Sequence, residues 1–413
     1  MLFPGVPARA LPWLIAIAGF AFDIAAFWPG QMSFDSGYTW WQARGGETTN
    51  IAPPVLIYLW RALDVLHEGP GLVFALHLAL FWSGLALLVD ALRIGRVRTI
   101  VLMLVVAFAP ITWLLRGHVW TDVGLFSALL FVVGALAQAH ATRGRVWIAV
   151  AAMPLLYAGA VRHNALPAIV PLALWIGWLV AGQRSRMHVA LVAAAVCAVS
   201  FACASLINAQ VQRHVPLWPA AAEWDLAALS VASGEMLLPP FMFGPGMTVD
   251  ELAGAFRHWS IVPMLQNTTH GMRDPFTGEY TQEQLDALGD AWLSAVRAHP
   301  GAWFAHHWQQ AIALLDVHDP GWPLELIYVD DEFRYRDNPP VARNQTALHN
   351  ALMRAAAWLS GTRVLAGWPY LLIGLLAAPA AWRRRGELAG VVALTVLASA
   401  WLYLVPLLPL VAA

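Results

Sequence analysis

Pro70-Gly-Leu-Val-Phe-Ala-Leu-His-Leu-Ala-Leu-Phe-Trp-Ser-Gly-Leu-Ala-Leu-Leu-Val-Asp90-Ala-Leu92 leads straight into Arg93-Ile-Gly-Arg96-Val-Arg98. The first part is almost unbroken apolar sequence, and crossing a bilayer core takes about 20 such residues in a helix. The second part is short and strongly basic, and short basic loops stay on the cytoplasmic side of a membrane. A span followed by a cytoplasmic turn sets the register in which the rest of the chain is read.

The same alternation recurs outward in both directions. Further apolar runs lie near 10–28, 99–115, 123–141, 146–161, 165–182, 188–208, 365–382 and 388–411, and short basic connections at 142–145, 183–187 and 383–386. Arg9 joins these on the cytoplasmic side. The sidedness closes with nine spans, provided 53–68 does not cross. That stretch begins Pro53-Pro54 and carries Arg61, Asp64 and Glu68, so it reads as an interfacial helix. The expectation is an all-α polytopic membrane protein with about nine transmembrane helices. Interfacial helices occupy its first outer loop, and a small, mostly helical domain lies outside the membrane. By domain, 1–208 is a transmembrane bundle with the first outer loop, 209–364 the extracytoplasmic domain, and 365–413 the C-terminal transmembrane helices. The first span is expected to be retained, because too few apolar residues precede Ala16-Ile17-Ala18 for a signal core.

Composition agrees. Of 413 residues, 59% are hydrophobic and 12% charged, against about a quarter charged in soluble domains. With 22 Trp and 17 Phe the chain is too apolar to stay disordered. A net charge of −1 gives nucleic acid nothing to bind. All 24 basic residues are Arg. Cys197 and Cys203 share one apolar run, with neither disulfide-framework nor metal spacing.

Within 209–364, Thr248 with Glu251 and Thr281 with Gln284 fit helix-starting capping boxes. Leu285, Leu288, Trp292 and Val296 follow at helical spacing, and Pro300 suits the first position of another helix.

The informative polar residues gather on the outer side. They occupy Trp28-Pro-Gly-Gln-Met-Ser-Phe-Asp35-Ser-Gly-Tyr-Thr-Trp-Trp-Gln42 with Asn50-Ile-Ala-Pro-Pro54, then Arg116-Gly-His118-Val-Trp-Thr121-Asp122, then Arg162-His163-Asn164. Polar groups at membrane depth are expensive and mark function. The set suits group transfer from a lipid-linked phosphate. A carboxylate, Asp35 or Asp122, takes the proton of an attacking hydroxyl, while Arg162 or Arg116 neutralises the departing phosphate. His163, Asn164, Gln42 and His118 are supporting candidates. Each residue also has a plainer role: Asp35 in a turn, Asp122 as a helix cap, Arg162 as an interfacial anchor. Asp23, inside the first span, is either hydrated from the site or bonded to a neighbouring helix. His306-His307 and Asp316-Val-His318-Asp319 look metal-like, although adjacent histidines on a helix point apart. No glycine-rich phosphate loop follows a strand, which argues against a cytosolic nucleotide-sugar domain.

These outer-side stretches, with Ala291-Trp292, Ala298-His-Pro300 and Trp303-Phe-Ala-His-His307, resemble the glycosyltransferase-C superfamily of bacterial membrane enzymes. The resemblance is fullest over the first 165 residues. It implies Asp35 as catalytic base, Asp122 as a second acidic residue and Arg162 as a donor-phosphate contact. It further implies a polyprenyl-phosphate sugar donor, a glycan or lipid acceptor, and a site on the outer face of the bacterial cytoplasmic membrane. Ala52 stands before Pro53-Pro54 where a His would be expected. No cofactor is demanded by these motifs, and a divalent metal is left open. Competing readings are a polysaccharide polymerase or ligase with lipid-diphosphate donors, which calls for more outer arginines, and a transporter or flippase, which calls for polar residues at the bilayer midplane. A purely structural membrane protein is a further alternative.

Overall fold

The structure, a computed structural model, describes residues 7, 9–182, 185–315 and 332–405. Its helices begin with α1 (Leu11–Phe27), α2 (Phe34–Ala43), α3 (Pro54–Asp64), α4 (Gly71–Leu92), α5 (Arg96–Phe108) and α6 (Pro110–Arg116). They continue with α7 (Thr121–Thr142), α8 (Val146–Ala160), α9 (Leu166–Ala181), α10 (Arg186–Asn208), α11 (Trp218–Ser233) and α12 (Val249–Ala255). The rest are α13 (Val262–Gln266), α14 (Gln282–Ala298), α15 (Pro300–Leu314), α16 (Ala347–Ser360), α17 (Trp368–Arg383) and α18 (Leu388–Leu404). The sheet content among the described residues is one antiparallel pair, β1 (Glu332–Phe333) with β2 (Val341–Ala342).

Among the described residues, three helices are long and apolar enough to cross a membrane: α4, α7 and α10. The pair α5–α6 passes as a fourth but is bent by 63°. Pro110 causes the break, because it cannot donate to the preceding turn and drives Ala109 to extended backbone (ψ 134°). Helices α1, α8, α9 and α18 are apolar but shorter. At 1.5 Å per residue the 17 residues of α1 reach only about 25 Å. The expectation of nine full-length spans is thus corrected to three or four, with several shorter apolar helices beside them. The apolar runs are helical almost to their ends, but those at 10–28, 146–161 and 165–182 give helices of only 17, 15 and 16 residues, and Pro110 splits the run at 99–115.

Helices α4 and α7 pack most closely. A Cβ on Gly134 would lie 2.3 Å from the Gly84 carbonyl oxygen, and one on Gly84 would lie 2.6 Å from the Phe131 backbone. Small residues at the crossing let the two backbones meet, as membrane helices require. Around this pair, Arg116 turns inward. Its Nη2 donates to Asp23 Oδ1 at 3.0 Å, its Nη1 to the Ala107 carbonyl at 2.7 Å, and Trp82 Nε1 donates to Asp23 Oδ2 at 2.7 Å. The guanidinium lies 4.4 Å from the Phe81 ring centroid, and both charged residues are fully buried. This ion pair ties α1 to α4 and to the bent α5–α6 segment. Of the two readings of Asp23, the bond to a neighbouring element is the one observed.

The described residues divide into two compact units. The first comprises the described residues of 1–213, 332–365 and 369–403, and the second 214–315 with 366–368 and 404–405. The sequence reading placed 209–364 in one domain, whereas 332–365 returns to the first unit. There α16 lays Met353 and Ala356 against α1. His349 Nδ1 donates to the Ala26 carbonyl at 2.9 Å, and Gln31 Nε2 to Met353 Sδ at 3.4 Å. In the second unit, α11 to α15 surround Trp224, Leu229, Met242 and Leu288. Thr248 and Thr281 cap α12 and α14 as expected, and Pro300 opens α15.

Candidate functional site

Asp35 lies in the first turn of α2, and two serines fix where that turn sits. Ser36 Oγ donates to the Val119 carbonyl at 2.7 Å, and Trp120 Nε1 donates to Ser33 Oγ at 2.9 Å. Just before the helix, Gln31 N–H donates to the Gly117 carbonyl at 2.8 Å, and Val119 N–H donates to the Gln31 carbonyl at 2.9 Å. The first outer loop is therefore zipped along 117–120, which brings Asp35 beside the start of α7 and its Asp122.

The third stretch joins through charge. Arg162, in the turn between α8 and α9, donates to Asp122 Oδ1 from Nε at 2.9 Å, and its Nη2 lies 2.8 Å from the same oxygen as an ion pair. Tyr403, in the last turn of α18, donates to the same oxygen at 3.2 Å. Next door, exposed His163 approaches the Asn50 and Ile51 carbonyls; burial by its neighbours lowers its pKa, with these acceptors pulling it back. Asn164 sits half-buried in the same turn. Four separate stretches thus converge on one place.

Asp35 differs from Asp122 in its surroundings. Its side chain is open to solvent, yet protein crowds its flanks, and its carboxylate accepts no hydrogen bond among the described residues. Burial raises its pKa above the ordinary carboxylate value; the Arg162 charge opposes this and the Asp122 charge adds to it. The group is close enough to feel both partners while bonded to neither.

The other candidates divide. Arg116 does not join the site: it is fully buried, with Nη2 on Asp23 and Nη1 on the Ala107 carbonyl. His118 is also fully buried, donating from Nδ1 to the Leu114 carbonyl at 3.0 Å, and burial lowers its pKa to about 4. It is a neutral packing element beneath Trp120, 4.4 Å between ring centroids. Gln42, buried at the far end of α2, accepts from the Thr49 N–H at 2.6 Å and braces the loop after the helix. A polar cleft of about 650 Å³ opens there, lined by Thr48, Tyr58, Arg61, Gln210 and Gln212. Asp35 is at the opposite helix end, about 12 Å away by helix rise.

Sequence reasoning missed the hairpin 332–342. Tyr335 packs edge-on against Phe34 at 5.2 Å, and Asn338 Nδ2 donates to the Gly37 carbonyl at 2.9 Å. Gly37 makes this approach possible, since a Cβ there would lie 2.7 Å from Phe333 and 2.8 Å from Tyr335. The only available signal was aromatic and basic density in Phe333-Arg-Tyr-Arg336, far along the chain from Asp35.

In the second unit, His306 and His307 both turn to Asp225, at 3.6 and 3.1 Å, where Trp292 and Trp303 also donate. Gln310 donates to His306 Nε2 and His258 Nδ1 meets its Nδ1 at 2.9 Å. Burial lowers His306 to about 3, so it is neutral. No group of three or more His, Cys, Asp or Glu suited to a metal occurs among the described residues. The Asp316-Val-His318-Asp319 stretch lies outside them. No family model, curated protein or solved structure matches the chain.

Proposed function

We propose that the protein is a membrane glycosyltransferase that moves a sugar from a polyprenyl-phosphate donor to a cell-envelope glycan or lipid. In this reading it spans the bacterial cytoplasmic membrane, the shorter apolar helices add to the crossings, and the Asp35 site faces outward. The supporting observation is the contrast between the two carboxylates. Asp122 is neutralised by Arg162 and held by Tyr403, whereas Asp35 has no donor among the described residues and a raised pKa. A carboxylate without donors keeps its lone pairs for a proton, which is what a general base needs.

The acceptor hydroxyl attacks the anomeric carbon as its proton passes to Asp35. A new carbon–oxygen bond forms, the bond to the phosphate oxygen breaks, and the electron pair leaves with polyprenyl phosphate. Attack from the face opposite the phosphate inverts the anomeric centre. Positive charge from Arg162 offsets the leaving group, and Asp122 fixes the orientation of that guanidinium. Asp35, once ionised, also stabilises the oxocarbenium-like transition state.

Mass spectrometry of envelope glycans tests this reading. A deletion strain is expected to lack one sugar that the parent gene restores and Asp35→Asn does not. Unchanged envelope glycans in the deletion strain would remove the basis for the assignment.

A further inference from the structure

Of the arginines proposed for the donor phosphate, Arg116 is buried on Asp23 away from the site and Arg162 is paired with Asp122. A third arginine, Arg336, stands at the tip of the hairpin on α2. Its guanidinium carbon lies 4.1 Å from the Trp41 ring centroid, 5.5 Å from that of Tyr335 and 5.9 Å from that of Tyr38. Among the described residues it has no carboxylate within ion-pair distance, and it is exposed. Aromatic faces hold a cation without consuming its N–H donors, so this guanidinium is oriented, with no ion-pair partner among the described residues.

Two further features fix its hairpin on α2, the helix that carries Asp35. Its neighbour Tyr335 touches Phe34, the residue before Asp35, and lies within the field of the Asp35 carboxylate. Arg336 itself adopts φ 49°, a left-handed conformation that side chains other than glycine rarely take. Backbone strain of this kind persists where surrounding structure enforces it, and it clusters at ligand sites. Asn338 bonded to the Gly37 carbonyl, and Asn338 N–H donating to the Tyr335 carbonyl at 3.0 Å, do the enforcing.

We propose that Arg336, carried by the 332–342 hairpin and stacked on Trp41, Tyr38 and Tyr335, binds the phosphate of the lipid-linked ligand at the Asp35 site. This rests on the reading of that site as one that takes a polyprenyl phosphate. The planar guanidinium matches a phosphate through paired N–H donors. Arg162, paired with Asp122, then adds its charge to that of Arg336 at the departing phosphate.

Binding of polyprenyl phosphate, polyprenol and inorganic phosphate to the purified full chain in detergent, followed by thermophoresis, tests this. Arg336→Ala and Arg336→Gly are compared with Arg334→Ala, which removes a charge on the same hairpin that Glu332 already neutralises. Arg336→Gly relieves the left-handed backbone, so it should melt no lower than the parent and separates binding from folding. The parent should prefer polyprenyl phosphate to polyprenol. Both Arg336 variants should bind it roughly 10- to 100-fold more weakly, with Arg334→Ala like the parent. Parental affinity in Arg336→Gly would overturn the inference and leave the lipid-phosphate reading standing. No binding of polyprenyl phosphate by the parent would overturn both. Arg336-dependent binding of inorganic phosphate as tight as the lipid would reject the lipid-linked ligand.

Discussion

Nε and Nη2 of Arg162 converge on a single oxygen of Asp122, Oδ1, at 2.9 and 2.8 Å, and the Tyr403 hydroxyl donates to that same oxygen at 3.2 Å. The pair joins the start of α7 to the α8–α9 turn and to the end of α18. It also sets the potential at Asp35, which feels both charges.

That arrangement makes the pH profile informative. Asp35 must be ionised to accept a proton, so kcat/KM should fall on its acid side through a pKa above the ordinary value of about 3.9. Asp122→Asn removes the like charge and should move this acid limb to lower pH. Arg162→Met removes the opposing cation and should move it up. A limb that stays in place in both variants would show that another group is titrating.

The Asp23–Arg116 pair makes a separate prediction about stability. Both side chains are fully buried, so removing one strands the other. Asp23→Ala and Arg116→Ala should each cost about 3–5 kcal/mol. Replacing both with leucine should recover much of that loss, because an apolar pair of similar volume avoids the desolvation penalty. Thermal melts of the three variants in detergent decide it; a double variant as unstable as the singles would argue against a desolvated pair.

Glu223 provides a pH test in the second unit. It is fully buried, neither carboxylate oxygen has a partner among the described residues, and burial raises its pKa well above the usual range, with Asp274 adding and Arg273 opposing. The folded state therefore holds this proton more tightly than the unfolded state. The resulting stabilisation is complete below the unfolded value of about 4.3 and is lost as pH rises through the raised folded value. Melting temperature should fall as pH rises from the unfolded value toward the raised folded one. Glu223→Gln should flatten that fall, and an unchanged slope in the variant would assign it to another group.

Sidedness can be read directly by cysteine labelling with an impermeant reagent, in spheroplasts of a variant lacking Cys197 and Cys203. A cysteine replacing Asp250 should label and one replacing Gly144 should not. The opposite pattern would place the Asp35 site on the cytoplasmic side and exclude a site facing outward.

Much of the site was legible because its residues sit at the ends of apolar runs, where polar groups stand out. Asp35, Asp122, Arg162 and the Asn50–Pro54 stretch were all found in this way. Arg116 was misread for a physical reason: its position at a helix end does not tell whether its guanidinium faces water or turns toward Asp23, 93 residues earlier. The hairpin with Tyr335 and Arg336 was missed because it reaches α2 from about 300 residues away, and its two-residue strands carry almost no periodicity. His306 and His307 were expected to diverge, but Asp225 on α11 sits close enough to meet both. Helix number was overestimated because several apolar runs make helices of only 15 to 17 residues and Pro110 breaks another.

The most direct measurement is transfer of sugar from a polyprenyl-phosphate donor by purified parent and Asp35→Asn protein in lipid nanodiscs, with melting curves as the control for folding. Asparagine keeps the size of the side chain but cannot take the proton. The variant should melt like the parent, bind the donor and transfer sugar about 10²- to 10⁴-fold more slowly. Near-parental transfer by a folded Asp35→Asn protein would contradict the assignment of Asp35 as the base.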